Sequence, residues 1–135
     1  MRIGVMAIVA ALSLGLVGSA SAATASVNIR EHAVAIEGGR AVLLFVEVQC
    51  SLDPNDVLLE GNVSVSQDDA SGMGRLNPVC DGRERVYPIR VTTFGGNFEA
   101  GQAFASAFLL FLNAQTQRTT QASDSTVITI RGAPA

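Results

Sequence analysis

Residues 41–50, AVLLFVEVQC, constrain the fold of this chain more than any other stretch. Read with the two-residue period of a strand, every second side chain is apolar along the whole stretch. These side chains are Val42, Leu44, Val46, Val48 and Cys50. The opposite face is apolar over its first half and polar over its second half. We therefore predict the central strand of a two-layer β domain, buried on one face throughout and closed at its far end by a disulfide.

Residues 1–22 have the three parts of a Sec-type signal peptide. Arg2 supplies the positive charge, an apolar run extends from about Ile3 to Val17, and Ala20 and Ala22 form a small-residue cleavage site. A retained membrane anchor is the alternative, but it needs about 20 apolar residues. We expect cleavage after Ala22 and a secreted protein, extracellular or associated with the cell envelope. The mature chain, residues 23–135, is expected to be a single domain without a membrane span.

The two cysteines, Cys50 and Cys80, form an even pair in a chain that is predicted to be exported. A disulfide is the expected state of such a pair. Closing a loop of about thirty residues stabilises the folded state by roughly 3–4 kcal/mol on the chain-entropy model. A reactive thiol or a two-cysteine metal site is the alternative, but the only histidine, His32, is distant in the sequence. We predict a structural disulfide.

The rest of the chain alternates between short β patterns and turn residues. Further strands are predicted at 26–30, 33–37, 57–67, 85–94 and 126–131. Gly38-Gly39 predicts a two-residue hairpin turn before the central strand. Residues 68–74 predict a loop, and Pro78 confines 75–80 to an edge. In the run 57–67, the side chains predicted to point inward are Val57, Leu59, Gly61, Val63 and Val65.

Residues 102–112 admit two interpretations. A helix would place Phe104, Phe108 and Phe111 on one face, whereas a strand would place the alanines on one face and two phenylalanines on the other. Periodicity alone does not separate these alternatives. We choose a strand buried on both faces, because the neighbouring elements are all predicted strands, and we interpret 113–125 as a polar connection. Seven or eight short strands then predict an all-β fold, a single antiparallel immunoglobulin-like β-sandwich.

The search for chemistry predicts no catalytic residue, no cofactor and no metal ion. Nucleophilic catalysis needs a base beside the nucleophile, and His32 is interpreted as a surface residue. Calcium takes six to eight oxygen ligands. Asp68 and Asp69 together with Asp81 are the one combination worth testing, and solvated turns are the simpler interpretation. Without residues 1–22, which include Arg2, eight basic and twelve acidic residues remain, and this mildly acidic balance argues against a nucleic-acid or anionic-membrane partner.

Once the strands are laid out, the pattern resembles a known group of proteins. A glycine turn leads into a strand that ends in Cys50, followed by Cys80-Asp-Gly82, an alternating strand and the run FEAGQAFASA at 98–107. These features are similar to small secreted immunoglobulin-like β-sandwich families of unknown function from high-GC Gram-positive bacteria. The resemblance covers most of residues 23–135, and it implies a β-sandwich and export but supplies no activity or site.

These observations together predict a secreted, non-enzymatic binding or surface-interaction module with an unknown protein or surface partner. The alternatives are a small-molecule carrier, with a ligand between the sheets near Phe45, Phe104 and Phe108, or a protease inhibitor presenting the loop 68–80. A hydrolase ranks last, because the groups for general acid–base catalysis are missing. The predicted contact loop consists of Gln115, Thr116, Gln117, Arg118, Thr119, Thr120 and Gln121.

Overall fold

The computed structural model of the protein describes residues 23–132, so the predicted signal peptide, residues 1–22, lies outside the described residues. The described part consists of strands and one short 3₁₀ turn, Glu37–Gly39. No helix within residues 23–132 is long and apolar enough to cross a membrane. The strands are β1 (Thr24–Ile29), β2 (His32–Ile36), β3 (Ala41–Ser51), β4 (Asp56–Gln67), β5 (Ala70–Arg75), β6 (Asp81–Gly95), β7 (Gly101–Asn113) and β8 (Thr119–Arg131).

Seven of these strands form a sheet that closes on itself. The order around the closed sheet is β3–β2–β8–β7–β4–β5–β6 and back to β3, while β1 pairs with the second half of β3. All pairs are antiparallel except β2 with β8. The all-β prediction is confirmed, but the strands do not form the predicted immunoglobulin-like sandwich. In such a sandwich the two sheets are packed face to face, whereas here the pairs β2–β8 and β5–β6 join them by hydrogen bonds.

Closure of the sheet is confined to one end of the molecule. The pair β2–β8 covers only 32–34 with 129–131, and β5–β6 covers only 71–73 with 92–95. Toward the Cys50 end the strands separate into two layers of three strands, β1–β3–β6 and β4–β7–β8. Leu44, Leu109 and Phe111 are buried in the core. The molecule is therefore a barrel at one end and resembles two facing layers at the other.

The central strand has the predicted position and orientation. β3 pairs with β1, β2 and β6, and its alternate side chains from Val42 to Cys50 are at most 2 % exposed. The hairpin between β2 and β3 is also confirmed, but its turn is longer than predicted. Ile36 pairs with Ala41, which leaves a turn of residues 37–40, and the backbone φ angles from Glu37 to Gly39 are all positive.

The disulfide between Cys50 and Cys80 is present. It holds residues 76–80, which connect β5 to β6, against the end of β3. Leu76 in this connection is fully buried, and the N–H of Val79 donates a hydrogen bond to the hydroxyl of Tyr87 at 2.8 Å. The connection therefore fills the space where β4 and β6 diverge.

The prediction for 57–67 is correct only in its second half. Val63 and Val65 are buried, but Val57 and Leu59 are exposed and Leu58 packs against the core. The cause is a β-bulge: Leu58 pairs with Phe111 and Glu60 pairs with Leu110, so Leu59 is an extra residue. A bulge reverses the alternation of faces on either side of it.

Two segments predicted as loops are strands. Residues 70–75 form β5 between β4 and β6. Most of the predicted connection 113–125 belongs to β8, where residues 119–125 pair with residues 106–112 of β7. Glycine explains the first error, because a side chain at Gly72 would lie 2.3 Å from the carbonyl oxygen of Thr92. Only a strand with glycine at this position can approach β6 so closely. Residues 102–112 are a strand as predicted, although only one of its faces is buried.

Candidate functional site

The outer face of β7 is an uncovered apolar stripe. Its inward side chains, from Ala103 through Ala107 to Phe111, belong to the core. On the outer face Phe104 is 49 % exposed, while the other apolar side chains are half-buried. The outward side chains in order are Gln102, Phe104, Ser106, Phe108, Leu110 and Leu112. The strand thus has two apolar faces. One is buried in the core inside the closed sheet, and the other lies on the outer surface.

The neighbouring strands extend this stripe. Val127 of β8 lies directly opposite Phe104 and is 53 % exposed, and Val57 of β4 lies opposite Leu112 and is also exposed. Met73 of β5 and Leu59 of the bulge are exposed on the same side of the sheet. We call the outer surface of β8, β7, β4 and β5 the apolar face. It holds five of the eight large exposed hydrophobic residues in the described part of the chain.

A groove of about 660 Å³ lies on the apolar face beside the bulge. Its apolar lining comes from Leu58, Leu59, Met73 and Leu76, and its polar lining includes Glu60, Asn62, Arg75 and Asn77. The Asn62 side-chain amide donates a hydrogen bond to the Glu60 carboxylate at 2.7 Å. This volume lies within the range of small-molecule sites, about 300–1,000 Å³.

Tertiary contacts at Gly61 create the groove. The N–H of Leu76 donates a hydrogen bond to the carbonyl oxygen of Gly61 at 3.0 Å. A Cβ atom at Gly61 would lie 2.0 Å from the carbonyl oxygen of Leu76, so glycine is required for this approach. Because the chain turns away after Leu76, β4 has no strand partner on that side before Asn62. The bulge and the departing chain together leave the groove open.

The opposite outer surface, formed by β1, β3 and β6, has a different chemistry. Arg30 and Glu47 form an ion pair at 2.9 Å across the end of β1, and Arg90 pairs with Glu37. The hydrogen bond from Arg90 lowers the pKa of Glu37 below its ordinary value. Within residues 23–132, the ion pairs lie away from the apolar face. Two of the eight large exposed hydrophobic residues, Val86 and Phe94, lie on β6. The two outer surfaces therefore differ in their ion pairs and in the number of exposed hydrophobic residues, five against two.

The predicted contact loop adjoins the apolar face. Residues 114–118 are the hairpin turn between β7 and β8, where the Asn113 side-chain oxygen accepts hydrogen bonds from the N–H groups of Gln115 and Thr116. The remaining residues, Thr119 to Gln121, lie in β8. Of these, Thr119 and Gln121 point outward beside Leu112 and Leu110. The predicted loop is thus an ordered turn followed by a strand, at one end of the apolar stripe.

The residues predicted to surround a carried ligand are not brought together. Phe45 is on the outer side of β3, and Phe104 and Phe108 are on the outer side of β7, across the barrel. The predicted inhibitory loop 68–80 contains the paired strand β5 and the buried Leu76, so it is not a free loop.

The aspartates considered for calcium lie in separate structural elements. Asp68 and Asp69 form the turn between β4 and β5, whereas Asp81 begins β6 and is hydrogen-bonded to Arg85. The described residues contain no group of three or more potential metal ligands. His32 is exposed at the start of β2. These polar residues are therefore parts of turns and strand ends in the described structure.

No protein-family model, curated protein or solved structure matches this chain. The geometry alone therefore indicates a candidate site. The sequence did contain the signal for the apolar face, since a period of two already separates Phe104 and Phe108 from the alanines. That pattern does not show which face other strands cover.

Proposed function

We propose that the protein is a secreted, non-enzymatic interaction module that binds a partner protein through the apolar face. The observation that carries this proposal is the concentration of exposed hydrophobic residues on four adjacent strands, five of the eight in the described part of the chain. The largest apolar patch on a typical monomer is about 300–600 Å² and is often functional. Such a patch marks an interaction surface when it is bordered by polar residues, as Gln102, Thr119 and Gln121 border this one at the two ends of β7.

The composition of the apolar face suits recognition of a protein. Aromatic side chains and methionine are enriched at the centres of protein interfaces, and charged residues are depleted there. Phe104, Phe108 and Met73 supply the first group, and Glu60 and Arg75 lie toward one side. Each square ångström of apolar surface removed from water contributes about 25 cal/mol, so covering the phenylalanines and leucines supplies a favourable free energy of association.

Secretion is part of the proposal. Disulfides persist in oxidising compartments and are rare in the cytosol. The Cys50–Cys80 bond joins strand β3 to the connection before β6, where it supports the fold. Together with the signal-peptide pattern of residues 1–22, this bond favours function outside the cytosol.

A second candidate function is supported by the groove beside the bulge. Its volume of about 660 Å³ and its mixed lining suit a small amphipathic molecule, with the apolar part on Leu59 and Met73. This location replaces the space between the sheets that the sequence suggested for a carrier. Native mass spectrometry of protein purified from its own source would show a stable adduct, and a Met73→Glu variant would lose it.

Site-specific photo-crosslinking in the native host tests the main proposal. A photoreactive residue is placed at Ser106, at the centre of the apolar face, and a matched one at Gln49, on the outer side of β3. We expect a cross-linked protein adduct of defined mass from position 106 and none from position 49. Equal adducts from both positions, or none from position 106, would contradict the proposal.

A further inference from the structure

We infer that the partner bound by the apolar face is a second copy of this chain, in a symmetric dimer that packs the two apolar faces against each other. This inference rests on the proposed function, because it needs the apolar face to be a contact surface. It adds the identity of the partner. Three properties of the apolar face support it: its relief, its size and its charge.

The relief of the apolar face is self-complementary. Ser64, Ser106 and Ser125 lie side by side on β4, β7 and β8, and the hydroxyl oxygens of Ser106 and Ser125 are 2.9 Å apart. These small side chains rise less from the sheet than the phenylalanines beside them, and the row ends at the exposed Met73, which pairs with Ser64. We call this row the serine trough. The phenylalanines at 104 and 108 stand on either side of it, each two residues from Ser106 along β7. A surface with a trough between two ridges can receive a ridge of an identical surface that faces it.

Symmetric dimers need this kind of surface. In a two-fold dimer the same patch serves both copies, so it must be complementary to itself. Two sheets that pack face to face lie about 10 Å apart with their side chains interdigitated. The Phe104 or Phe108 ring of one copy would occupy the serine trough of the other. The half-buried Leu110 and Leu112 would extend the contact toward the turn after β7.

The size of the apolar face agrees with the size of a stable interface. The outward residues of β7 from 102 to 112 span about 33 Å, and adjacent strands are about 4.8 Å apart. β8, β7 and β4 extend over this length and β5 over about half of it, so the projected area is roughly 550 Å². The accessible area of such an uneven surface is larger. Stable protein interfaces bury about 800 Å² per partner. The area available on one copy is of the magnitude that a dimer requires.

The charge distribution permits two copies to approach at the apolar face. The chain has a formal net charge of −3, so two copies repel each other on average. On the apolar face the charges of Glu60 and Arg75 are opposite in sign, Arg131 lies at the end of β8, and all outward side chains of β7 are neutral. By contrast, Arg30 with Glu47 and Arg90 with Glu37 form ion pairs within one copy on the surface of β1, β3 and β6.

Sedimentation equilibrium over a range of protein concentrations tests the inference. The full chain is expressed and purified, and its intact mass records whether residues 1–22 remain. We expect a species of twice the chain mass that dissociates on dilution. Val127→Asp and Phe104→Asp place a charge in the contact and should raise the dimer dissociation constant by at least about tenfold. Val86→Asp, on the opposite surface, is the matched control and should leave the constant unchanged.

The outcomes separate this inference from the proposed function. A monomer at every concentration overturns the dimer, and so does a dimer that Val127→Asp and Phe104→Asp do not weaken, provided that the variants keep the far-ultraviolet circular dichroism of the parent. If the protein is monomeric and position 106 still cross-links to a different protein, the proposed function stands and only the dimer fails. A dimer that forms only after removal of residues 1–22 supports the inference, because residues 23–135 are the expected mature chain.

Discussion

Gly61 shows how a single residue permits the local geometry of the barrel. Its missing side chain lets the carbonyl oxygen of Leu76 pass within 2.0 Å of the position that a Cβ atom would occupy. At the same place the carbonyl oxygen of Gly61 accepts a hydrogen bond from the N–H of Leu76. Both groups would have to move to admit a methyl group. The position is therefore closed to every other residue type, even though its backbone is an ordinary strand.

We expect Gly61→Ala to destabilise the protein by about 1–3 kcal/mol, which is the usual cost of inserting a group into a packed region. Chemical denaturation measures this loss of unfolding free energy. Gly95→Ala is the matched control, because a Cβ atom at that glycine meets nothing within 4 Å and the residue lies at the end of β6. We expect the control to change stability by less than about 0.5 kcal/mol. Equal effects of the two substitutions would show that the contact with Leu76 is not the cause.

Asp81 links the stability of the protein to pH. The hydrogen bond from the Arg85 guanidinium, with a further one from the backbone N–H of Arg83, lowers the pKa of Asp81 from 3.8 to about 2. Because the pKa is lower in the folded state, the carboxylate stabilises the fold above pH 3.8, and this contribution is lost as the pH falls toward about 2. The exposed position of the pair keeps the effect small.

We expect Asp81→Asn to lose less stability than the parent between pH 3.8 and about 2, because its side chain does not titrate. Denaturation midpoints measured across this range give the comparison. Arg85→Gln should reduce the pH dependence in the same direction, since Arg85 is the main cause of the lowered pKa. A pH dependence that remains unchanged in Arg85→Gln would assign the effect to another carboxylate.

At the scale of elements, the connection between β5 and β6 functions as part of the core. It has no regular secondary structure, yet it places Leu76 at full burial between β4 and β6. Its far end is fixed by the disulfide to Cys50 and by the hydrogen bond from Val79 to Tyr87. A connection without strand hydrogen bonds needs such attachments, because its ordering is otherwise opposed by conformational entropy.

We expect the double variant Cys50→Ala, Cys80→Ala to lose about 3–4 kcal/mol of unfolding free energy, the amount associated with closing a loop of this length. Denaturant titration of the two proteins measures the difference. A reductant should lower the stability of the parent to a similar level and leave the double variant unchanged. If the reductant lowered both proteins equally, its effect would not come from this disulfide.

At the scale of the whole molecule, the barrel contains a seam between β1 and the first half of β8. β1 pairs with β3 on one side only, and β8 pairs with β2 only from Thr129 onward. The Asp124 carboxylate bridges the seam by accepting a hydrogen bond from the N–H of Ile29 at 2.8 Å. The two layers at this end are therefore held together by side chains rather than by a strand ladder.

We expect Asp124→Ala to increase hydrogen exchange in residues 24–29 while leaving 101–113 protected, because β7 is paired on both sides. Loss of a hydrogen bond to a charged group should also cost about 1.5–3 kcal/mol of stability. Hydrogen-exchange mass spectrometry resolves the two segments. Asp69→Ala, which changes an exposed carboxylate in the β4–β5 turn, is the control and should not alter exchange in 24–29. Uniform acceleration in both segments would indicate global destabilisation instead.

The sequence by itself determined the strands with strong alternation and the cysteine pair. In β3 the apolar side chains recur at every second position, so the inward face followed from the geometry of an extended chain. The disulfide followed from two cysteines in a chain with an export pattern. The strand at 102–112 was also identified, because its neighbours were all β. These features depend on residues that are close in sequence or on composition alone.

Only the tertiary structure decided how the sheet closes, where the bulge lies and which face of β7 is covered. The sequence predicts a loop at β5 because its glycines are poor strand formers in isolation, and they become necessary only beside Thr92 and Arg90 of β6. The sequence predicts the wrong faces for Val57 and Leu58, because the register of this segment depends on its pairing with β7. Alternation shows that a strand has two faces, but the strands that cover one of them come from distant parts of the chain. For that reason the apolar face of β7 could be recognised in the sequence as apolar, and only the closed sheet shows that it is exposed.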